Sequence, residues 1–196
     1  STNFYVANTL PGPTNFVGAT YTGTSNNGSN VGAQGIAFTT TQSNISITSV
    51  DIPFTGTGSF NIQIKDVTNT TVIANFTTAS VTGSGTIPVT VPLNLTVVNP
   101  GSYLLIVNAV LGSIGSLGYS TGFFPYSGLA GTFNVTSGYW FGPTTDNMYL
   151  FNIGVNDNCE GLRTAVLATI NPPPVFTSLT PPAGPSRTIC GGSTVN

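Results

Sequence analysis

Between Thr86 and Val98 the chain reads TIPVTVPLNLTVV: every odd position from Ile87 to Val97 is aliphatic, while Thr, Asn and Pro fill the even ones. Alternation of this kind sets one face of an extended strand against a core and the other in water, whereas a helix would repeat its apolar positions every 3.6 residues. The same period returns in SFNIQIKD, where Phe60, Ile62 and Ile64 share a side. In SYLLIVNAVL it places Tyr103, Leu105, Val107 and Leu111 on one side and Leu104 and Ile106 on the other, which predicts a strand covered on both faces. Within residues 44–54 the inward parity changes between Ile47 and Val50, the mark of a β-bulge. Further strands are expected at residues 3–8, 34–40, 71–78, 132–136, 147–155 and 162–170, and no segment sustains a helical period.

Turn signals such as TGTGS, NNGSN, NPGS and TGSGT separate these runs. Pro88 and Pro92 interrupt the clearest strand, and proline lacks the N–H that a central ladder requires, so that strand should lie at a sheet edge or point those positions outward. About eight to ten short antiparallel strands predict an all-β, two-sheet β-sandwich of jelly-roll type. A seven-stranded fibronectin-like sandwich is the structural alternative.

Charge then narrows the function. Only 4% of the residues are charged, against ~25% in ordinary soluble domains, so Thr, Ser, Asn and Gly must keep the surface in water. Lys65, Arg163 and Arg187 are the three basic residues and form no run, which excludes neutralising a phosphate backbone and with it nucleic-acid binding. The apolar stretch from Ser102 to Tyr119 is broken by Asn108 and by glycines short of the ~20 residues of a membrane span. The nearly uncharged, Thr- and Asn-rich composition points to an extracellular or cell-surface location. The opening STNFYVANTL has no basic-then-apolar leader and reads as a mature chain or an excised piece.

Near the C-terminus, INPPPVF marks a boundary: residues 1–171 form the sandwich, 172–174 a stiff proline linker, and 175–196 the start of an incomplete module or a strand-donating tail. CEGLRTAVLATINPPP resembles the Cys-Glu-Ser-x-Arg-Thr-x-Val-x-Ala-Thr-Val strand that precedes a proline linker in large secreted proteins of the Bacteroidetes. PPAGPSRTICGGSTVN is similar to the first strands of the Ig-like modules that follow there, and YLFNIGV upstream resembles their jelly-roll modules. Gly161 stands where Ser is usual, and YLFNIGV has no acidic residue. The resemblance implies surface display, since many such proteins are gliding or attachment adhesins exported by type IX secretion. It implies that Glu160 and Arg163 orient the last strand, and that Cys159 is buried or disulfide-bonded. Cys159 and Cys190 could pair with each other, with cysteines elsewhere, or stay free. The tail residues Val175, Phe176, Leu179 and Ile189 are expected to make their apolar contacts outside residues 1–171.

Two groups of residues are candidates for a site. Asn156, Asp157, Asn158 and Glu160 offer hard oxygen ligands for a structural calcium, although NDN reads equally as an Asx turn; no other cofactor is implied. Tyr139 and Trp140 in GYWFGP, with Tyr126 in GFFPYSG, either fill the core or form a platform on which pyranose rings stack. The chain contains no His, so Ser-His-Asp and Cys-His catalysis are excluded.

The reading that follows is a non-catalytic extracellular module of a secreted adhesin. Its partners are other protein chains or further modules of its own chain, and surface glycans. The alternatives are a carbohydrate-binding module of an exported enzyme and a filament subunit assembled by strand addition. Polysaccharides and peptides incubated with the chain are expected to stay intact. Turnover that disappears on substituting Asp146, Asp157 or Glu160 would overturn the non-catalytic reading.

Overall fold

The computed structural model describes residues 2–6, 9–23, 25–27, 34–160, 164–168, 187–189 and 193–195, with side chains at 12–23 and 34–157. It divides into two compact units, Ala7–Leu162 and Ser1–Val6 together with Arg163–Asn196. The first strands are β1 (Thr2–Val6), β2 (Thr9–Pro11), β3 (Asn15–Val17), β4 (Ser25–Asn27), β5 (Gln34–Thr40) and β6 (Ile45–Ile52). They are followed by β7 (Phe54–Asp66), β8 (Val72–Thr77), β9 (Val81–Ser84), β10 (Val89–Val97) and β11 (Gly101–Thr121). The remainder are β12 (Tyr126–Gly128), β13 (Phe133–Trp140), β14 (Pro143–Thr144), β15 (Asp146–Met148), β16 (Phe151–Glu160), β17 (Thr164–Ala168), β18 (Arg187–Ile189) and β19 (Ser193–Val195). One 3-10 turn, Leu129–Gly131, is the sole helical element among the described residues.

The larger unit is an all-β sandwich of two antiparallel sheets. One sheet runs β10-β6-β16-β2, with β3 also on β16; the other runs β12-β13-β5-β11-β7-β8, with β4, β9, β14 and β15 attached along it. The pairs β3 with β16, β5 with β11, β6 with β10, and β7 with β8 are the successive rungs of one long folded ribbon. Rolling that ribbon up brings β16 beside β6 and β11 beside β7, which is the jelly-roll connection. In the smaller unit β1 pairs with β17 from Thr2 opposite Ala168 to Val6 opposite Thr164, and β18 pairs with β19. The expected boundary at 171 and linker at 172–174 lie outside the described residues, as do the contacts of Val175, Phe176, Leu179 and Ile189.

Alternation turns into packing on both sheets. Ile45, Ile47, Val50 and Ile52 of β6, and Val91, Leu95 and Val97 of β10, meet Phe60, Ile62 and Ile64 of β7, Leu105 and Val107 of β11, and Phe38 of β5 in one core. The expected parity change in β6 is present: Val155 and Gly154 of β16 face Ile47 and Ser49, so the strand carries an extra residue there. β10 lies at the end of its sheet with Pro92 exposed, as its prolines require. Leu104 and Ile106 are buried opposite Tyr103, Leu105 and Val107, so β11 is covered on both faces.

Two residues depart from simple alternation. Ile87, expected inward, is 71% exposed because β10 begins only at Val89, after Pro88. Leu111 is 52% exposed, since a register shift in β11 between Val107 and Ala109 turns Val110 toward the core in its place.

The outer face of the larger sheet shows how a chain with so few charges is solvated. Asn108 Nδ2 donates to Asn61 Oδ1 (2.9 Å), and Asn61 Nδ2 donates to Asn75 Oδ1 (2.9 Å) and Thr77 Oγ1 (3.0 Å). Gln63 Nε2 joins at Asn75 Oδ1 (3.1 Å), so neutral amides and hydroxyls tie β11, β7 and β8 together side by side.

Phe38, stacked on Phe133 at 4.9 Å and tilted against Tyr103 at 5.6 Å, should be among the most costly positions to truncate. Phe38→Ala is expected to lower stability in urea unfolding by about 3–5 kcal/mol, whereas Leu111→Ser should stay within about 0.5 kcal/mol. Equal losses at the two positions would contradict the register shift in β11.

Candidate functional site

Three of the described aromatics that reach solvent, Phe123, Trp140 and Phe141, lie along one edge of the larger sheet, where β12 and β14 both pair with β13; a fourth, Phe16, stands on β3 in the other sheet. β13 follows a strand pattern, with Phe133 and Val135 in the core, then shifts register between Val135 and Ser137. Gly138 sits where a Cβ would collide with the Asp146 carbonyl oxygen, so only glycine lets β15 approach this closely. Beyond it, the Trp140 N–H donates to the Gly142 carbonyl (2.8 Å), closing a tight turn before Pro143 pairs opposite Tyr139.

Phe141, in that turn, has φ 53 and is 74% exposed. A left-handed backbone costs an L-residue roughly 1–2 kcal/mol, and Gly or Asn is the usual occupant. Trp140 beside it is 46% exposed.

The loop between β11 and β12 supplies the third ring. The Gly122 N–H donates to the Thr145 carbonyl (2.9 Å), fastening the loop next to β14. The Phe123 N–H donates to Tyr126 Oη (2.8 Å), and the Phe124 and Tyr126 rings meet edge to face at 5.2 Å, both partly packed on the core. Tyr126 therefore acts as a pillar, and Phe123, at 85% exposure, is the ring presented to solvent. Of the residues expected from sequence, Trp140 lies on this surface, Tyr139 is partly buried in β13, and Tyr126 supports from beneath. Phe123 and Phe141 were missed, because alternation carries no signal inside turns.

The calcium candidates belong to a strand. Asn156, Asp157 and Asn158 lie within β16, paired opposite Ser46, Ile45 and Pro11, so the NDN turn does not form: β16 passes here from β6 to β2 as its partner. Consecutive strand residues face opposite sides, which parts Asp157 from Asn156. Asn156 is buried with its Oδ1 unpartnered. The side chains of Asn158, Cys159 and Glu160 lie outside the described residues, as do Cys190 and the pairing of the two cysteines. Among the described residues no three Cys, Asp or Glu side chains are grouped to hold a metal.

Two other carboxylates, Asp51 and Asp66, bind within the fold. Asp51 accepts from Thr90 Oγ1 (2.6 Å) and Asn152 Nδ2 (3.0 Å) on the smaller sheet. Asp66 closes the turn after β7: its Oδ1 accepts the N–H groups of Thr70 (2.9 Å) and Thr71 (3.1 Å), and its Oδ2 the hydroxyls of Thr68 (2.9 Å) and Thr70 (3.1 Å). The Thr70 and Thr71 N–H groups hold its carboxyl well below the usual carboxylate range. No described helix is long and apolar enough to cross a membrane. No family model, curated protein or solved structure matches the chain.

Burial pushes the Tyr149 hydroxyl up to about 12. An unfolded tyrosine ionises near pH ~10, so between those values the native chain keeps a proton that the unfolded chain has lost. The associated stability is intact below about pH 10 and disappears as the pH rises through the folded value. Phenolate absorbance should report Tyr149 among the last of the seven tyrosines to ionise. Tyr149→Phe should flatten the alkaline loss of stability; an unchanged pH profile in that variant would place the cause elsewhere.

Proposed function

We propose that the chain is a non-catalytic module of a secreted cell-surface adhesin and mediates attachment. The observation that carries this reading is the edge of exposed rings, where Phe123, Trp140 and Phe141 gather on one side of the larger sheet, while the other large apolar side chains that reach solvent are spread over other strands and loops. Single exposed apolar residues are ordinary, but several large rings gathered on one surface are a feature of binding sites. The resemblance of residues 149–196 to modules of secreted Bacteroidetes surface proteins supports display outside the cell. The low charge favours partners recognised by shape and hydrogen bonding over partners recognised by ion pairing.

Assembly with other chains by strand addition is the second reading, and the edge strand β8 favours it. β8 ends its sheet and exposes Val72 and Ile73 next to an open backbone ladder. The two readings separate experimentally. Labelled chain is expected to be retained saturably on bacterial cell surfaces or on coated beads while staying monodisperse in light scattering. Retention no greater than that of albumin would remove the attachment reading, and concentration-dependent polymers would favour assembly.

A further inference from the structure

The turn at residues 140–143 is built against its own stability. Its backbone favours glycine at 141, where φ is 53, yet the position holds a phenylalanine whose ring stands in solvent. A residue disfavoured both by its backbone and by its exposure points to selection for contact with something else. Phe123 adds a second exposed ring on the same edge, on a loop fastened by Gly122 to Thr145 and by its own N–H to Tyr126. These are rigid mounts, so a ligand would not have to order them.

The surroundings choose the ligand's chemistry. From Thr121 to Thr145 the sequence holds no charged residue, and Asp146, paired opposite Thr121 at the border of the site, is the nearest charge in sequence, so an anionic ligand finds no counter-charge in this stretch and a cationic one finds a single carboxylate beside it. The same strands and loops carry exposed hydrogen-bonding side chains: Thr136, Thr145 and Ser127 are exposed, and Ser127 Oγ donates to Asn134 Oδ1. Ring faces on an edge that also carries neutral hydroxyls and amides complement a molecule with apolar C–H faces, many hydroxyls and no charge. An aliphatic protein partner would instead be met by a contiguous apolar patch.

We propose that Phe123, Trp140 and Phe141 form a binding site for a neutral saccharide chain, with sugar rings stacked on the aromatic faces and hydroxyls bonded along β12 to β14. This rests on reading the chain as a non-catalytic binding module. The test is binding of the full chain to an array of neutral glycans and to insoluble cellulose and chitin, alongside Phe141→Gly and the double variant Phe123→Ala/Trp140→Ala. The wild type should bind at least one neutral glycan, and each variant should lose about tenfold or more in affinity. Phe141→Gly should also melt at a higher temperature than the wild type, which separates lost contact from lost fold. Undiminished glycan binding by Phe141→Gly would overturn the site. Retention of the wild type on protein-coated surfaces but on no neutral glycan would overturn the saccharide assignment and leave the attachment reading standing; retention on neither would end both.

Discussion

The larger sheet depends on the backbone of β11. Between Tyr103 and Val107 this strand is hydrogen-bonded to β5 on one side and to β7 on the other, and all five side chains are buried. A strand saturated on both edges and covered on both faces has no exposed polar backbone to solvate, which makes it the least replaceable part of a sheet. Its length lets the second half serve other partners: β4 and β15 pair with it between Leu117 and Thr121. The register shift after Val107 lets one strand join both halves, because it changes which face meets the core midway along.

The same economy governs the polar groups. With Lys65 the sole cation among residues whose side chains are described, ion pairs contribute little, and neutral donors and acceptors perform the tasks that charges perform elsewhere. Asn108, Asn61, Asn75 and Gln63 link three strands across a wet face. Asp66 is spent on closing its own turn, and Asp51 on joining β6 to Thr90 and Asn152. Such a surface is nearly indifferent to salt, because no long-range field has to be screened. On the proposed reading, recognition falls to contacts of short range, which exposed rings beside hydroxyls would provide.

Much of the sandwich was legible in the sequence because burial on one face forces a period of two. The spans of β5 and β6, the inward residues of β7, the double cover of β11 and the bulge in β6 all follow from where apolar residues fall. Pro92 announced an edge for a covalent reason, its missing N–H. Where alternation misled, at Ile87 and Leu111, the cause was a strand start and a register shift; unlike the bulge in β6, the shift after Val107 falls where Val110 and Leu111 are both apolar, so the pattern reads either way.

The sequence by itself determined that this chain is all-β, that its core lies between two faces of alternating strands, and that its chemistry excludes histidine-dependent catalysis. Those conclusions rest on local periodicity and on which side chains exist. Only the tertiary structure decided which rings face water. Phe38 and Phe133 stack in the core, Tyr126 braces a loop, and Phe123 and Phe141 stand exposed, although all five are aromatic residues in short Gly-rich stretches. It also decided that Asn156 and Asp157 belong to a strand and not to a turn, because β16 finds partners in β6 and then β2. Exposure and pairing of this kind are set by residues far away in the chain, and a local pattern carries no record of what will lie on the other side.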